Sequence, residues 1–272
     1  MSTSPHAGKF RTKLACIGAG VLVLAVALYL ILPIIALFFR TTPDLFFETL
    51  RDPAVISALT LSLTTSIISL VIVILVGTPF AYLHCRNQYP GKVIVDTIID
   101  LPLVLPPAVA GFALLVLYGR MGLIGKYASL FGITFAFTTL AVIMAQIFVA
   151  SPFYLRQAKS LFDQLDPAYE MTARTLGASP FRVFARVVVP LTAGGLVSGA
   201  VMTFGRALGE FGATIMFAGN MPGVSQTMPL AVYVNLNGDF NVGLTIAILL
   251  VLISFAIMIA VRLLATREVP HA

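Results

Sequence analysis

Arg206 and Glu210 stand four residues apart in the apolar run Leu191–Phe217, which carries no other charge. At helical pitch the two lie on one face. A charge at mid-bilayer costs at least roughly 2.5–3.5 kcal/mol on insertion scales, and a partner one turn away reduces that cost. Such a pair can help an anion pass, or it can be an internal bridge that only shapes the helix. A very tight anion site would work against passage, because an ion in a pathway must also leave. No nucleophile–base pair and no metal-ligand cluster occurs in the apolar runs, and His6, His84 and His271 all lie outside them. The pattern argues against intramembrane catalysis and calls for no cofactor.

A second group of charges, Glu170, Arg174, Arg182 and Arg186, falls in the stretch Tyr169–Pro190. Asp166-Pro167 reads as an N-cap with proline at the first helical position. Gly177 suits the left-handed residue that ends a helix. Ser179-Pro180 repeats the cap-and-proline signal and predicts a second helix through Val188, and Pro190 marks entry into the next apolar run. The expectation is two short helices with a glycine corner. Ala168, Met171 and Thr175 share a face of the first, and Phe181, Phe184 and Val188 a face of the second. Such faces fit a groove on a soluble partner or the lipid interface beside anionic headgroups.

The elements that must position these residues are membrane spans. The chain has 272 residues, 59% hydrophobic and 10% charged, against about 25% charged in soluble domains. Spanning the hydrocarbon core takes roughly 20 apolar residues. Six runs qualify: about Leu14–Phe39, Ile56–Leu83, Val93–Leu117, Ala136–Leu155, Leu191–Phe217 and Val242–Leu264. The fold class is therefore all-α membrane protein, with six transmembrane helices. With the N-terminus inside, Lys9, Arg11, Lys13, Arg86, Lys92, Arg156, Lys159, Arg174, Arg182, Arg186, Arg262 and Arg267 are cytoplasmic, while Arg40, Arg51, Arg120 and Lys126 are external. This asymmetry follows the positive-inside rule and sets both termini inside. It accounts for the net charge of +6 without a nucleic-acid partner.

Residues 1–13 read as a polar, unstructured cytoplasmic tail, 14–39 as an added N-terminal span, 56–264 as the functional unit and 265–272 as a C-terminal tail. The first run is too long for a signal-peptide core and reads as a retained helix. Cys16 and Cys85 map near the cytoplasmic face, where disulfides are rare, and read as packing residues. Pro102, Pro106 and Pro107 predict a kink in the third run, either for a water-filled path or for packing alone. Asp96 and Asp100, one turn apart near its inner end, read as solvated at the interface. Gly195/Gly199 and Gly205/Gly209 have the small-xxx-small spacing of close helix contact. Gly125-Lys126 is no phosphate loop, since Arg120 and Tyr127 stand where glycine and Ser or Thr are needed.

The Glu170–Pro190 segment resembles the signature loop of ABC importer permeases: Glu-Ala-Ala, three residues, Gly, nine residues, then Ile-x-Leu-Pro. Met171-Thr172-Ala173, Gly177 and Val187-x-Val189-Pro190 stand in that register, with the acidic residue one place early at Glu170. The resemblance implies a type I importer permease fold, a five-helix core plus the N-terminal helix. It also implies that Glu170, Met171, Ala173, Arg174, Gly177 and Pro190 couple to an ATP-binding subunit. Arg206-Ala-Leu-Gly-Glu-Phe-Gly-Ala213 resembles permeases for tetrahedral oxyanions. The text Ala218–Tyr233, with Leu101–Pro107 and Gly132–Ala136, is similar to the molybdate and tungstate branch rather than the sulfate branch.

That resemblance implies a homodimer, two ATP-binding cassette subunits and an external oxyanion-binding protein, in a prokaryotic inner membrane. Gate candidates are Arg206, Gly209, Glu210, Gly212, Pro106 and Pro107. Candidates for docking the external protein are Asn220, Pro222, Gly223 and Gln226, in a stretch that also reads as a plain surface turn. An ion-coupled secondary transporter would instead be expected to carry inverted repeats, and none is evident.

Overall fold

The computed structural model describes residues 5–266, and their regular structure is helical throughout. Helix α1 covers Pro5–Phe39, α2 Pro43–Thr49 and α3 Pro53–Arg86. Asp52 caps α3 by accepting from the Ala54 N–H at 2.7 Å. At about 1.5 Å per residue α3 is about 51 Å long, well beyond a hydrocarbon core of about 30 Å. Its last turns therefore carry Tyr82, His84 and Arg86 past the span.

The third apolar run is broken. Helix α4 (Lys92–Val104) and α5 (Pro107–Tyr118) meet at an angle of 115°. The cause is local: Leu105, ahead of two prolines, is extended with ψ 132°, because a residue before proline is driven out of the helical region. The predicted kink is thus a sharp corner. Five helices among the described residues are long and apolar enough to cross a membrane, and a sixth span results only if the bent pair is one.

A short α6 (Gly125–Leu130) leads to α7 (Thr139–Gln164), the central helix. The α3–α7 seam is polar inside: Ser69 Oγ donates to Gln146 Oε1 at 3.0 Å, Gln146 Nε2 donates to Ser66 Oγ at 3.2 Å, and Thr78 Oγ1 meets Tyr154 Oη at 2.6 Å. In an apolar solvent such bonds hold helices that hydrophobicity alone would not.

Helix α8 (Pro167–Thr175) and α9 (Pro180–Val183) follow. A π-turn over Phe184–Val188 then runs without a break into α10 (Val189–Leu208). Here the expectation is corrected: the second helix does not stop before Pro190. Proline lacks an N–H and its ring crowds the carbonyl four residues earlier; the wide turn directly before it absorbs that conflict. The fifth run also divides, at Gly209–Phe211, into α10 and α11 (Gly212–Phe217). Helices α12 (Met228–Asn235) and α13 (Phe240–Thr266) complete the bundle.

Gly195 and Gly199 bring α10 against α7, where an added Cβ would lie 3.0 Å from Leu161 Cγ and from Gln157 Cγ respectively. The second glycine pair makes no such contact within the chain. Gly205 has nothing within 4 Å, and Gly209 meets only the Gly205 carbonyl, at 3.5 Å. Helix α1 has none of its spanning window buried and touches chiefly α13, as an addition at the edge. It begins at Pro5, so residues 5–13, expected to be unstructured, are helical. The expected C-terminal tail starts at residue 265, but Ala265 and Thr266 still belong to the last helix; residues 1–4 and 267–272 lie outside the described residues. Cys85 is buried; the Cys16 side chain is also outside the described residues.

Candidate functional site

The segment between α7 and α10 is built as its capping signals require. Asp166 Oδ1 accepts from the Ala168 N–H at 2.8 Å, Gly177 is left-handed at φ +84°, and Ser179 Oγ accepts from the Arg182 N–H at 3.4 Å. Glu170 points inward and is 5% exposed. It receives Tyr82 Oη at 2.7 Å on one oxygen and Arg86 Nε at 2.7 Å on the other, both from the end of α3. Arg174 adds a longer contact at 3.7 Å. A buried carboxylate held this way fixes α8 to α3 through charge-assisted bonds.

Around that clamp Tyr82, Phe162, Val183 and Val188 form one core cluster, with Phe184 and Ala173 against it. The tilted ring pair Tyr82–Phe184 has centroids 4.9 Å apart. Phe184 and Val188 therefore serve the bundle and leave Phe181 as the outward member of that expected face. The outward surface carries Met171, Leu176 and Phe181, which are 61%, 84% and 77% exposed. Ala168 and Thr175 are exposed beside them, and Pro190 is exposed on α10.

Two pairs of the gate candidates meet, Arg206 with Glu210 and Gly212 with Pro107. Arg206 lies near the end of α10, and Glu210 lies just beyond it rather than within the same helix. Arg206 Nη1 approaches Glu210 Oε2 to 2.6 Å as a charge contact. Glu210 Oε1 accepts from the Ala213 N–H at 2.7 Å in the first turn of α11. Glu210 is 1% exposed and bridges the break between the two helices. Gly212 faces the corner of the broken span: a Cβ there would lie 2.7 Å from Pro107 Cβ. Pro106 and Pro107 are exposed within this chain, as is Gly209.

Gly111 completes the contact, because a Cβ there would lie 2.7 Å from Ala213 Cα and 2.9 Å from its carbonyl carbon. Those atoms are backbone and cannot rotate away. Gly111→Ala is expected to cost roughly 1–3 kcal/mol by overpacking, read as a lower melting temperature of the purified chain. An unchanged melting temperature would mean that α5 and α11 separate freely.

The loop from Ala218 to Thr227 turns on Met221, whose carbonyl accepts from the N–H groups of Val224, Ser225 and Gln226. Pro222 and left-handed Gly223 (φ +73°) are exposed and Asn220 is half-buried. Gln226, expected at an outer surface, is only 9% exposed; the tight turn directs it inward. Met228 N–H donates to Ser62 Oγ at 2.7 Å, which ties the loop's end to the early part of α3.

Sequence reasoning missed Tyr82 and Arg86 as the partners of Glu170, Gly111 as the contact of α11, and the pairing of Asp96. Asp96 is not simply solvated, since Lys159 Nζ and His84 Nε2 meet its Oδ1 at 2.5 and 2.8 Å. Arg86 closing an apolar run was the one available signal; the other partners lie in distant segments.

The two broken elements thus meet where Gly212 packs on Pro107, two residues beyond Glu210, in a bundle of helices long and apolar enough to cross a membrane. Residues 90–269 match the family model for the binding-protein-dependent transport system inner membrane component, and the chain belongs to that family. It is 39% identical over 235 residues to the molybdenum transport system permease protein of Mycobacterium tuberculosis, covering 86% of this chain and 88% of that one. It is 36% identical over 220 residues to the probable sulfate transport system permease protein of Chlorokybus atmophyticus, covering 80% and 77%. The solved bacterial alginate ABC transporter, in complex with its alginate pentasaccharide-bound periplasmic protein, shares the fold. That match has a TM-score of 0.71 at 18% identity and covers 94% of each chain. The protein is a multi-pass permease of the prokaryotic inner membrane.

Proposed function

We propose that this chain is the permease subunit of an ATP-driven importer that carries molybdate or tungstate into the cytoplasm. The observation that carries the mechanism is the unbroken helix from Pro180 to Leu208. It starts in the outward-facing segment and ends beside Arg206 and Glu210. A push on Met171, Leu176 and Phe181 by a soluble partner would move Glu170, hence α3, and the start of α10 together. Such a helix carries the motion as a rigid rod to the break at Gly209–Phe211, across which Glu210 passes it to the Gly212–Pro107 contact. ATP hydrolysis belongs to two partner subunits, one docked on that segment of each of two copies of the chain, and the chain itself performs no chemistry.

The path lies between two copies of the chain. Gly205 and Gly209, uncovered within one copy, fit a close approach there. The positive-inside asymmetry puts the Glu170–Pro190 segment and both termini in the cytoplasm. Pro222 and Gly223 then lie on the external side, where a loaded oxyanion-binding protein docks. The 39% identity to a molybdenum permease, with the Ala218–Tyr233 text, supports the substrate. The 36% identity to a sulfate permease supports the second reading, a sulfate importer of the same architecture. Molybdate and sulfate share charge and shape, so selectivity rests chiefly on the binding protein.

Labelled molybdate uptake in cells deleted for this chain, and then complemented, tests both readings. The expected result is chain-dependent uptake blocked by excess tungstate and unaffected by excess sulfate. Block by sulfate would move the assignment to the sulfate importer.

A further inference from the structure

Helix α4, the half of the broken span that leads into Pro106 and Pro107, has no buried residue. Within one chain, packing holds it only loosely against α7. Beside it, between α3 and α7, lies a cleft of about 490 Å³ lined in part by Phe80, Asp100, Arg156 and Asp163. Ile99 of α4 lines the same cleft with Phe80 and Leu155, and polar contacts tie α4 across it. Asp96 Oδ1 meets Lys159 Nζ of α7 at 2.5 Å and His84 Nε2 of α3 at 2.8 Å. The His84 ring is fixed in turn, with Nδ1 2.6 Å from Tyr89 Oη and one face stacked on Phe80 at 5.6 Å. Arg156 and Asp100 approach only to 3.6 Å and are both well exposed. Lys92 Nζ anchors the first turn of α4 to the carbonyls of Cys85 and Asn87 at 3.4 and 3.2 Å.

We infer that Asp96 is a positioning residue: its bonds to Lys159 and His84 form an electrostatic latch that sets where α4 stands, and through the proline corner the state of the path. The inference deepens the permease reading and rests on it. Asp96 touches no gate residue, so its influence runs through the angle between α4 and α5. Packed contacts deform little, whereas an ion pair beside an open cleft can part and re-form, which suits an element that must occupy two positions.

The test reads position and transport separately. Spin labels at Val93, 77% exposed on α4, and at Leu140, at the far end of α7, report the α4–α7 distance in the purified full chain diluted with unlabelled chain. Asp96→Ala and Lys159→Asp are expected to broaden that distance distribution. In the reconstituted complex both should raise ATP hydrolysis without binding protein by about threefold or more, as a shifted two-state equilibrium does. The charge-swapped chain, Asp96→Lys with Lys159→Asp, should narrow the distribution again and recover uptake relative to either single variant. An unchanged distribution in Asp96→Ala overturns the latch. So does a swapped chain that assembles normally yet performs no better than the single variants. A native complex that takes up no molybdate would instead sink the substrate reading, and the distance measurement would still decide the latch.

Discussion

Glu170→Ala is expected to cut uptake more than tenfold while the chain still inserts into the membrane. The carboxylate is nearly buried and takes bonds from Tyr82 Oη and Arg86 Nε at 2.7 Å each. Breaking a buried ion pair by removing one partner costs about 3–5 kcal/mol. Arg86 keeps 23% of its side chain exposed, so water offsets part of this loss, and about 2–3 kcal/mol is the fairer figure. At about 1.4 kcal/mol per tenfold, that moves α8 from firmly held to substantially loose. A loose α8 can still bind a partner but transmits little force to α3. Hydrolysis by the complex should therefore continue with its dependence on loaded binding protein reduced. Glu170→Gln keeps an acceptor for Tyr82 and should fall between. Full coupling in Glu170→Ala would show that α8 is held to the bundle by other contacts.

Glu210→Ala should lower uptake at least as far, with the amount of assembled complex less affected. Two losses coincide at one side chain. Arg206 loses its partner at 2.6 Å, and an unpaired charge at membrane depth costs roughly 2.5–3.5 kcal/mol or more. The Ala213 N–H loses its acceptor, which removes a first-turn capping bond worth about 1 kcal/mol. Because α11 carries Gly212 against Pro107, slack at this break moves that contact directly. Glu210→Gln separates the two causes, since it retains an acceptor for Ala213 and removes the charge. Recovery in Glu210→Gln would assign the effect to the cap, and its absence to the charge. Wild-type uptake in Glu210→Ala would remove the pair from the path altogether.

Much of this architecture was legible before any coordinates. Run length and charge scarcity identified five helices long and apolar enough to span, because a helix in lipid must satisfy its own backbone and hide its charges; the third run, expected as a span, is the broken pair. The caps at Asp166 and Ser179 and the stop at Gly177 were readable because capping is a local rule between residues two or three apart. The corner at Pro106-Pro107 was foreseeable for the same reason, though not its angle of 115°. The run through Pro190 was misread because no local signal announces the wide turn at Phe184–Val188 that lets the helix continue. The break at Gly209 was hidden because glycine is equally compatible with a helix interior and a helix end in an apolar sequence.

What the sequence determined by itself was the membrane class, the helical content, the charged positions and the family text, all of which follow from local composition and spacing. The Arg206–Glu210 pair was readable from its spacing, but only the tertiary structure decided which charges meet across distant segments. Glu170 finds Arg86 across 84 residues, Asp96 finds Lys159 across 63, and Gly111 finds Ala213 at backbone distance. Side-chain chemistry says that a buried charge needs a partner and that a glycine permits close approach. Which partner, and which backbone, depends on how the helices are laid against one another, and that is settled by the packing of the whole bundle.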